Sequence, residues 1–214
     1  MVDDPGIDET GELDMQNHTV YQKANGILQF VSKYRADAHY GIKEVGKKAH
    51  KPTQLSYKVL KKLVRYLSGT KDYAVWFARG GDITQLISMS DSNWANCKET
   101  RRSTSCGTIK WGGCLIYSFS RQQQVIATSS GQAEWYAAVS TVMEALLLHS
   151  LLSFFGFKTN MKHYLDSTAA KGIGSRMGVG KVKHLAIKTL WRQDVIRGRY
   201  GEDEKLTVHK IGTD

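Results

Sequence analysis

From Gln132 to about Phe155 the chain carries one long helix pattern, "QAEWYAAVSTVMEALLLHSLLSFF", almost free of charge. Segments of strand character lie on both sides of it. Upstream are "YAVWFA" from Tyr73, a Gly80-Gly81 turn, "QLISMSD", and then "SCGTIKWGG" and "CLIYSFSR" joined at Gly112-Gly113, a hairpin signal. Downstream are "MKHYLD" and "EKLTVHK". An apolar helix between strands must bury itself on a sheet, so the expected fold is α/β: a mixed five-stranded sheet flanked by helices. The greasiest part, Ala145–Phe157, contains a His and two Ser and is shorter than a bilayer span. The acidic N-terminus gives no sign of a signal peptide.

Ahead of this domain, residues 20–72 read as a helical segment. "YQKANGILQFVSKYRADAHYGIKEVGKKA" sets Ile27, Phe30 and Val31 on one stripe, followed by Tyr34. Pro52 breaks the pattern and Thr53 can cap the next helix, "QLSYKVLKKLVRYLSG", which Gly69 ends. That helix turns Leu55, Val59, Leu60, Leu63 and Leu67 inward and Lys58, Lys61, Lys62 and Arg65 outward. Residues 1–19 read as a disordered acidic tail. Met1–Met15 hold six acids and no Lys or Arg, so the net charge of +10 becomes +16 on the remainder. Such a surplus fits a polyanion, nucleic acid before membrane, and equally an ordinary basic protein. The outward bases of the helix could follow a phosphate backbone or simply face water. Three cysteines, with no CxxC pair, argue against a disulfide framework and for a reducing compartment.

Three acids stand out by position. Asp91 ends the first strand of the set, Asp166 ends the fourth, and Glu134 opens the long helix, where Ser129 and Gln132 have capping-box spacing. Singly, each has an ordinary explanation: a turn aspartate, or a glutamate complementing the helix dipole. Strand ends and a helix N-terminus can converge, however, and Glu134 shares a helix face with Ala138, Thr141, Ala145 and Leu148. Converging carboxylates repel unless they share hard divalent cations such as Mg²⁺ or Mn²⁺. Two such ions can activate water and stabilise the leaving oxygen of a phosphodiester.

"SDSNWANCKETRRSTSCG", "ATSSGQAEWYAA", "YLDSTAAKGI" and "VGKVKHLAIKTLWRQ", in that order, resemble the ribonuclease H domain of copia-type LTR-retrotransposon Pol polyproteins. "YQKANGILQFVSKYRADAHYGIKEV" and "KPTQLSYKVLKKLVRYLSGTKDY" resemble the end of the reverse transcriptase in the same polyproteins. The resemblance runs from about Tyr21 to the C-terminus. It implies Asp91, Glu134 and Asp166 as catalytic carboxylates holding two Mg²⁺ (or Mn²⁺) ions, Asp91 bridging them. It implies cleavage of the RNA strand of RNA–DNA hybrids beside the reverse transcriptase portion of the polyprotein, with no membrane partner. An intracellular site follows, in cytoplasmic virus-like particles or the nucleus. Arg101 and Arg102, in the RRSTS stretch with Ser103, Thr104 and Ser105, and Lys181, Lys183 and His184 around the KH helix opening, are candidate nucleic-acid contacts with Lys58, Lys61, Lys62 and Arg65.

The family pattern also has a fourth acid, in an Ala-Asp pair after the last strand. This chain stops at "VHKIGTD", and Asp214 falls too early for that pair. The expectation is therefore three acids without the fourth, leaving two readings open: an active two-metal nuclease, or an inactive remnant that binds nucleic acid. The sequence lacks the Asp-Asp box of a polymerase. A third reading, an integrase with Asp91, Asp166 and Glu202, is disfavoured because "RGRYGEDEKLTV" puts Glu202 in a turn before a strand.

Overall fold

The structure, a computed structural model, describes residues 10–175, 190–198 and 206–211, in two compact units. The first comprises Met1–Val75 with Cys97–Thr100; the second comprises Trp76–Asn96 with Arg101–Asp214.

The first unit is helical: α1 Met15–Val31, a 3-10 turn Ala36–Ala38, α2 His39–Lys47 and α3 Gln54–Gly69. Helix α1 begins within the stretch expected to be a loose tail. The Asp14 carboxylate caps it, accepting from the Asn17 amide at 2.7 Å. The expected stripe is also out of phase: Ile27, Phe30 and Tyr34 are exposed, whereas Tyr21 and Leu28 are buried against Ala38, Ile42, Val45, Leu60 and Leu63. Both arcs of α1 are apolar, so periodicity could not choose between them. The buried Tyr21 hydroxyl donates to the Val45 carbonyl at 2.8 Å, satisfying its polar tip. Helix α3 starts as expected, with Thr53 Oγ1 accepting from the Ser56 amide and Ser56 Oγ accepting from the Thr53 amide. Lys58, Lys61, Lys62 and Arg65 are exposed along it.

The second unit is a five-stranded sheet in the order β3-β2-β1-β4-β5, built from β1 Gln85–Asn93, β2 Thr104–Trp111, β3 Cys114–Gln122, β4 Asn160–Leu165 and β5 Leu206–Lys210. β1 runs antiparallel to β2 and parallel to β4, which runs parallel to β5. The β2–β3 hairpin turns on Gly112 and Gly113, at φ 58° and 78°, the left-handed pair that a two-residue hairpin loop demands. The segment 73–78 forms no strand, and Tyr73, Val75, Trp76 and Phe77 are exposed. Its uninterrupted apolar run has no period of two, so it defines no sheet face.

Helix α4, Ser130–Phe154, lies on β1, β2 and β4 and against α5, Thr168–Ser175. By length and composition it could cross a membrane. In the fold its N-terminal half is almost wholly buried instead, and Val142, Ala145 and Leu152 join Leu86, Ile109, Met161 and Leu206 in the core. Close approach rests on small residues. A Cβ on Gly107 of β2 would stand 2.4 Å from Thr141 Oγ1 and 2.5 Å from a Phe119 ring carbon. Gly107→Val is expected to lower stability by about 1–3 kcal/mol through overpacking, read by denaturant unfolding. A short α6, Trp191–Ile196, closes the same face, with Arg192 fully buried and its guanidinium 4.9 Å from the Trp135 ring centre. His163 of β4 lies in the same layer, its two ring nitrogens bridging Ser88 Oγ and Ser90 Oγ at 2.8 and 3.1 Å. Burial, reinforced by the Arg192 charge, keeps that imidazole neutral.

Candidate metal centre

Asp91 sits inside β1 rather than at its end, because pairing with β2 continues through Ser92↔Ser105 and Asn93↔Thr104. The parallel register with β4 reaches only Met89↔Tyr164, so Asp91 stands where β1 leaves β4. Asp166 directly follows β4, and Glu134 lies just inside α4. The helix begins with Ser129 Oγ accepting from the Gln132 amide; Gln132 Oε1, in turn, accepts from the Thr128 amide and hydroxyl rather than from the cap residue's own amide.

These elements bring the three acids together: each offers a carboxylate oxygen, all within 4.8 Å of one another. Glu134 is held by Ser92, whose amide and hydroxyl donate to Oε1 at 2.9 and 2.6 Å. Its Oε2 is buried without a hydrogen-bond partner. Burial pushes the Glu134 carboxyl up to about 7; the Ser92 bonds oppose this, and the charges of Asp91 and Asp166 add to it. Asp91 is also raised, by desolvation first and then by Asp166. A buried acceptor without a donor, on a carboxyl raised beside the likewise raised Asp91, matches what a hard divalent cation would satisfy. The donor set therefore fits Mg²⁺ or Mn²⁺.

The RRSTS stretch shapes the neighbouring loop. Arg101 adopts a left-handed φ of 55°, and Arg101 and Arg102 are exposed. Behind them Ser103 Oγ accepts from the Ala95 amide at 3.0 Å, the Thr104 hydroxyl donates to Asn96 at 2.9 Å, and Ser105 Oγ accepts from Gln123 Nε2 at 2.9 Å. Sequence reasoning missed Ser92, the residue that orients Glu134. It also missed Cys106, whose thiol donates to the Asp91 carbonyl at 3.6 Å. Position in the β1–β2 register carries that signal, since Cys106 is paired opposite Asp91. Lys181, Lys183, His184, Glu202 and Asp214 lie outside the described residues.

A sheet of this order, with one antiparallel hairpin, parallel β4 and β5, and acids at β1, β4 and the start of α4, defines a ribonuclease H-like domain. No protein-family model matches the chain. It is 28% identical over 172 residues to the "Retrovirus-related Pol polyprotein from transposon RE1" of Arabidopsis thaliana, covering 79% of this chain and 12% of that protein. A Plasmopara viticola protein called "Secreted RxLR effector protein 161" is 31% identical over 135 residues, 63% of this chain and 94% of its own. Among solved structures, that of the foamy viral protease-reverse transcriptase in complex with dsDNA aligns over 92% of this chain and 38% of its own, with 13% identity and a TM-score of 0.55. Retrovirus-related Pol polyproteins of plant transposons are thus among the proteins this chain is similar to. It spans only about 12% of the length of the transposon polyprotein it matches.

Proposed function

We propose that this chain is the ribonuclease H portion of a copia-type Pol polyprotein, a metal-dependent endonuclease that cuts the RNA strand of RNA–DNA hybrids. The observation that carries the reading is the meeting of Asp91, Glu134 and Asp166 within 4.8 Å, with one Glu134 oxygen buried and unpartnered. These three residues would hold the divalent cations, which when bound supply water activation and stabilisation of the departing oxygen. Ser92 fixes the Glu134 carboxylate through two hydrogen bonds to Oε1, so the group is held in place without reorganisation. The reverse transcriptase portion of the same polyprotein is the natural partner, since it generates the hybrid.

Incubating the chain with a labelled RNA–DNA hybrid in Mg²⁺ and in Mn²⁺ tests the proposal. Cleavage confined to the RNA strand, abolished by chelation, supports it; binding without cleavage in either metal favours the remnant that only binds.

The exposed bases of α3 and the Arg101–Arg102 pair supply phosphate contacts in this reading. Replacing Lys58, Lys61 and Lys62 together by Ala is expected to weaken hybrid binding and to flatten its dependence on log salt concentration. Every phosphate that the variant no longer neutralises should take away roughly one unit of slope, measured by fluorescence anisotropy at several salt concentrations.

A further inference from the structure

A cavity of about 490 Å³ opens in the second unit, between the end of β3 and the N-terminal half of α4. None of the three clustered acids lines it. Its volume is that of pockets built for small organic ligands, and most of its wall is apolar: Phe119, Val125, Tyr136, Val139, Met143 and Trp191. Two polar side chains interrupt this wall. The Arg121 guanidinium donates to Glu144 at 2.7 Å and to the Tyr117 hydroxyl at 2.6 Å, and lies 4.6 Å from the Phe119 ring centre. The ion pair cancels its own charge, so the cavity suits a neutral body better than an anion. Gln123, 7% exposed, donates through Nε2 to Ser105 Oγ and to the Ala133 carbonyl, both at 2.9 Å. A carbonyl can only accept, so Ala133 fixes which end of the amide is nitrogen. Gln123 Oε1 is left buried, with no hydrogen-bond partner among the described residues. An acceptor shut off from water in a cavity wall is costly until a donor reaches it.

We propose that this cavity is a nucleobase pocket, in which a flat neutral ring lies among Phe119, Tyr136 and Trp191 and donates an N–H to Gln123 Oε1. The proposal rests on the reading of the chain as a nucleic-acid enzyme, which singles out nucleobases among flat N–H donors, and gives that enzyme a second hold on its substrate. Aromatic rings and guanidinium planes are the surfaces on which proteins receive unstacked bases. Because the Gln123 nitrogen is already engaged by two acceptors, the amide offers the base an acceptor and no donor. A base paired and stacked in a duplex cannot enter. The ligand is therefore a free nucleoside or an unpaired base of a strand.

The test titrates uridine and guanosine into the full chain without metal, following the nucleoside resonances by NMR. Each is run beside its ring-N-methylated form, in which a methyl replaces the N–H donor. Saturable binding of at least one parent nucleoside is expected, about tenfold or more weaker for its methylated form. Ser140→Trp and Met143→Trp each plant a large side chain in the cavity from α4, and folded protein carrying either should lose the nucleoside. Met143 is exposed, so its replacement spares the core and keeps the test open if Ser140→Trp fails to fold. Binding of neither nucleoside, equal binding of the methylated forms, or binding that survives in a folded plugged variant would overturn the proposal. A short single strand of the same base separates the two sources. If it displaces the nucleoside, the pocket takes bases from a strand; if it does not, the pocket takes free nucleosides. Nucleoside binding with no hybrid cleavage defeats only the nuclease reading; cleavage in Mg²⁺ with no nucleoside binding defeats only this one.

Discussion

Asp91→Asn is expected to slow hybrid cleavage by about a thousandfold or more while leaving hybrid affinity unchanged. The substitution keeps the shape of the side chain and removes its charge at the point where β1 parts from β4, within 4.8 Å of carboxylate oxygens of Glu134 and Asp166. A metal centre held by these carboxylates would lose one of its ligands, and losing about 4 kcal/mol of transition-state stabilisation corresponds to a thousandfold in rate. Affinity should hold, because the substitution leaves untouched the bases assigned to the phosphate backbone, on α3 and at Arg101–Arg102. Single-turnover cleavage of a labelled hybrid gives the rate, and anisotropy gives the affinity. Wild-type cleavage by the variant would remove Asp91 from the chemistry and sink the metal-centre reading.

Glu134→Gln should stabilise the metal-free protein at neutral and alkaline pH. In the fold the Glu134 carboxyl titrates at about 7, against an ordinary value of 4.5. Below about pH 4.5 folded and unfolded chains both carry the proton, and the group exerts no pH-dependent penalty. Between 4.5 and 7 the unfolded chain releases the proton while the folded chain keeps it, so stability falls as pH rises through this window. Above about 7 the loss levels off. Gln lacks the ionisation and can still accept from the Ser92 amide and hydroxyl. The variant should therefore exceed the wild type by on the order of 2 kcal/mol at pH 8, a gain of several degrees in Tm, and show no difference attributable to this group at pH 4. Added Mn²⁺ should reverse the ranking by stabilising the wild type more. A variant less stable than the metal-free wild type at pH 8 would contradict the strained carboxylate cluster.

The strand–helix–strand order and the three acids were legible because they rest on local signals. The Gly112-Gly113 turn, the Thr53 cap and the alternation in "QLISMSD" each act within a few residues. The phase of α1 was not legible, since Ile27, Phe30 and Tyr34 are as apolar as Tyr21 and Leu28, and only the partners Val45 and Leu60 decide between them. "YAVWFA" misled for the opposite reason: high strand propensity without a neighbouring strand gives no ladder. Ser92 and Cys106 escaped because their roles come from register, across helix and ladder, to residues distant in sequence.

That same dependence on distant partners bears on how the protein comes to be. β4, the strand that presents Asp166, is held on one side by β1 and on the other by β5, through hydrogen bonds spanning 75 and 46 residues. Helices α1 to α3 and the β2–β3 hairpin can form from neighbours alone, whereas both flanks of β4 must wait for long loops to close. The acid cluster is therefore a late product of folding. On a ribosome, a nascent chain would carry Asp91 and Glu134 for some time before β5 emerged to brace Asp166. Stopped-flow refolding should show helix signal well ahead of any metal-binding competence, which would arrive only once the sheet is whole.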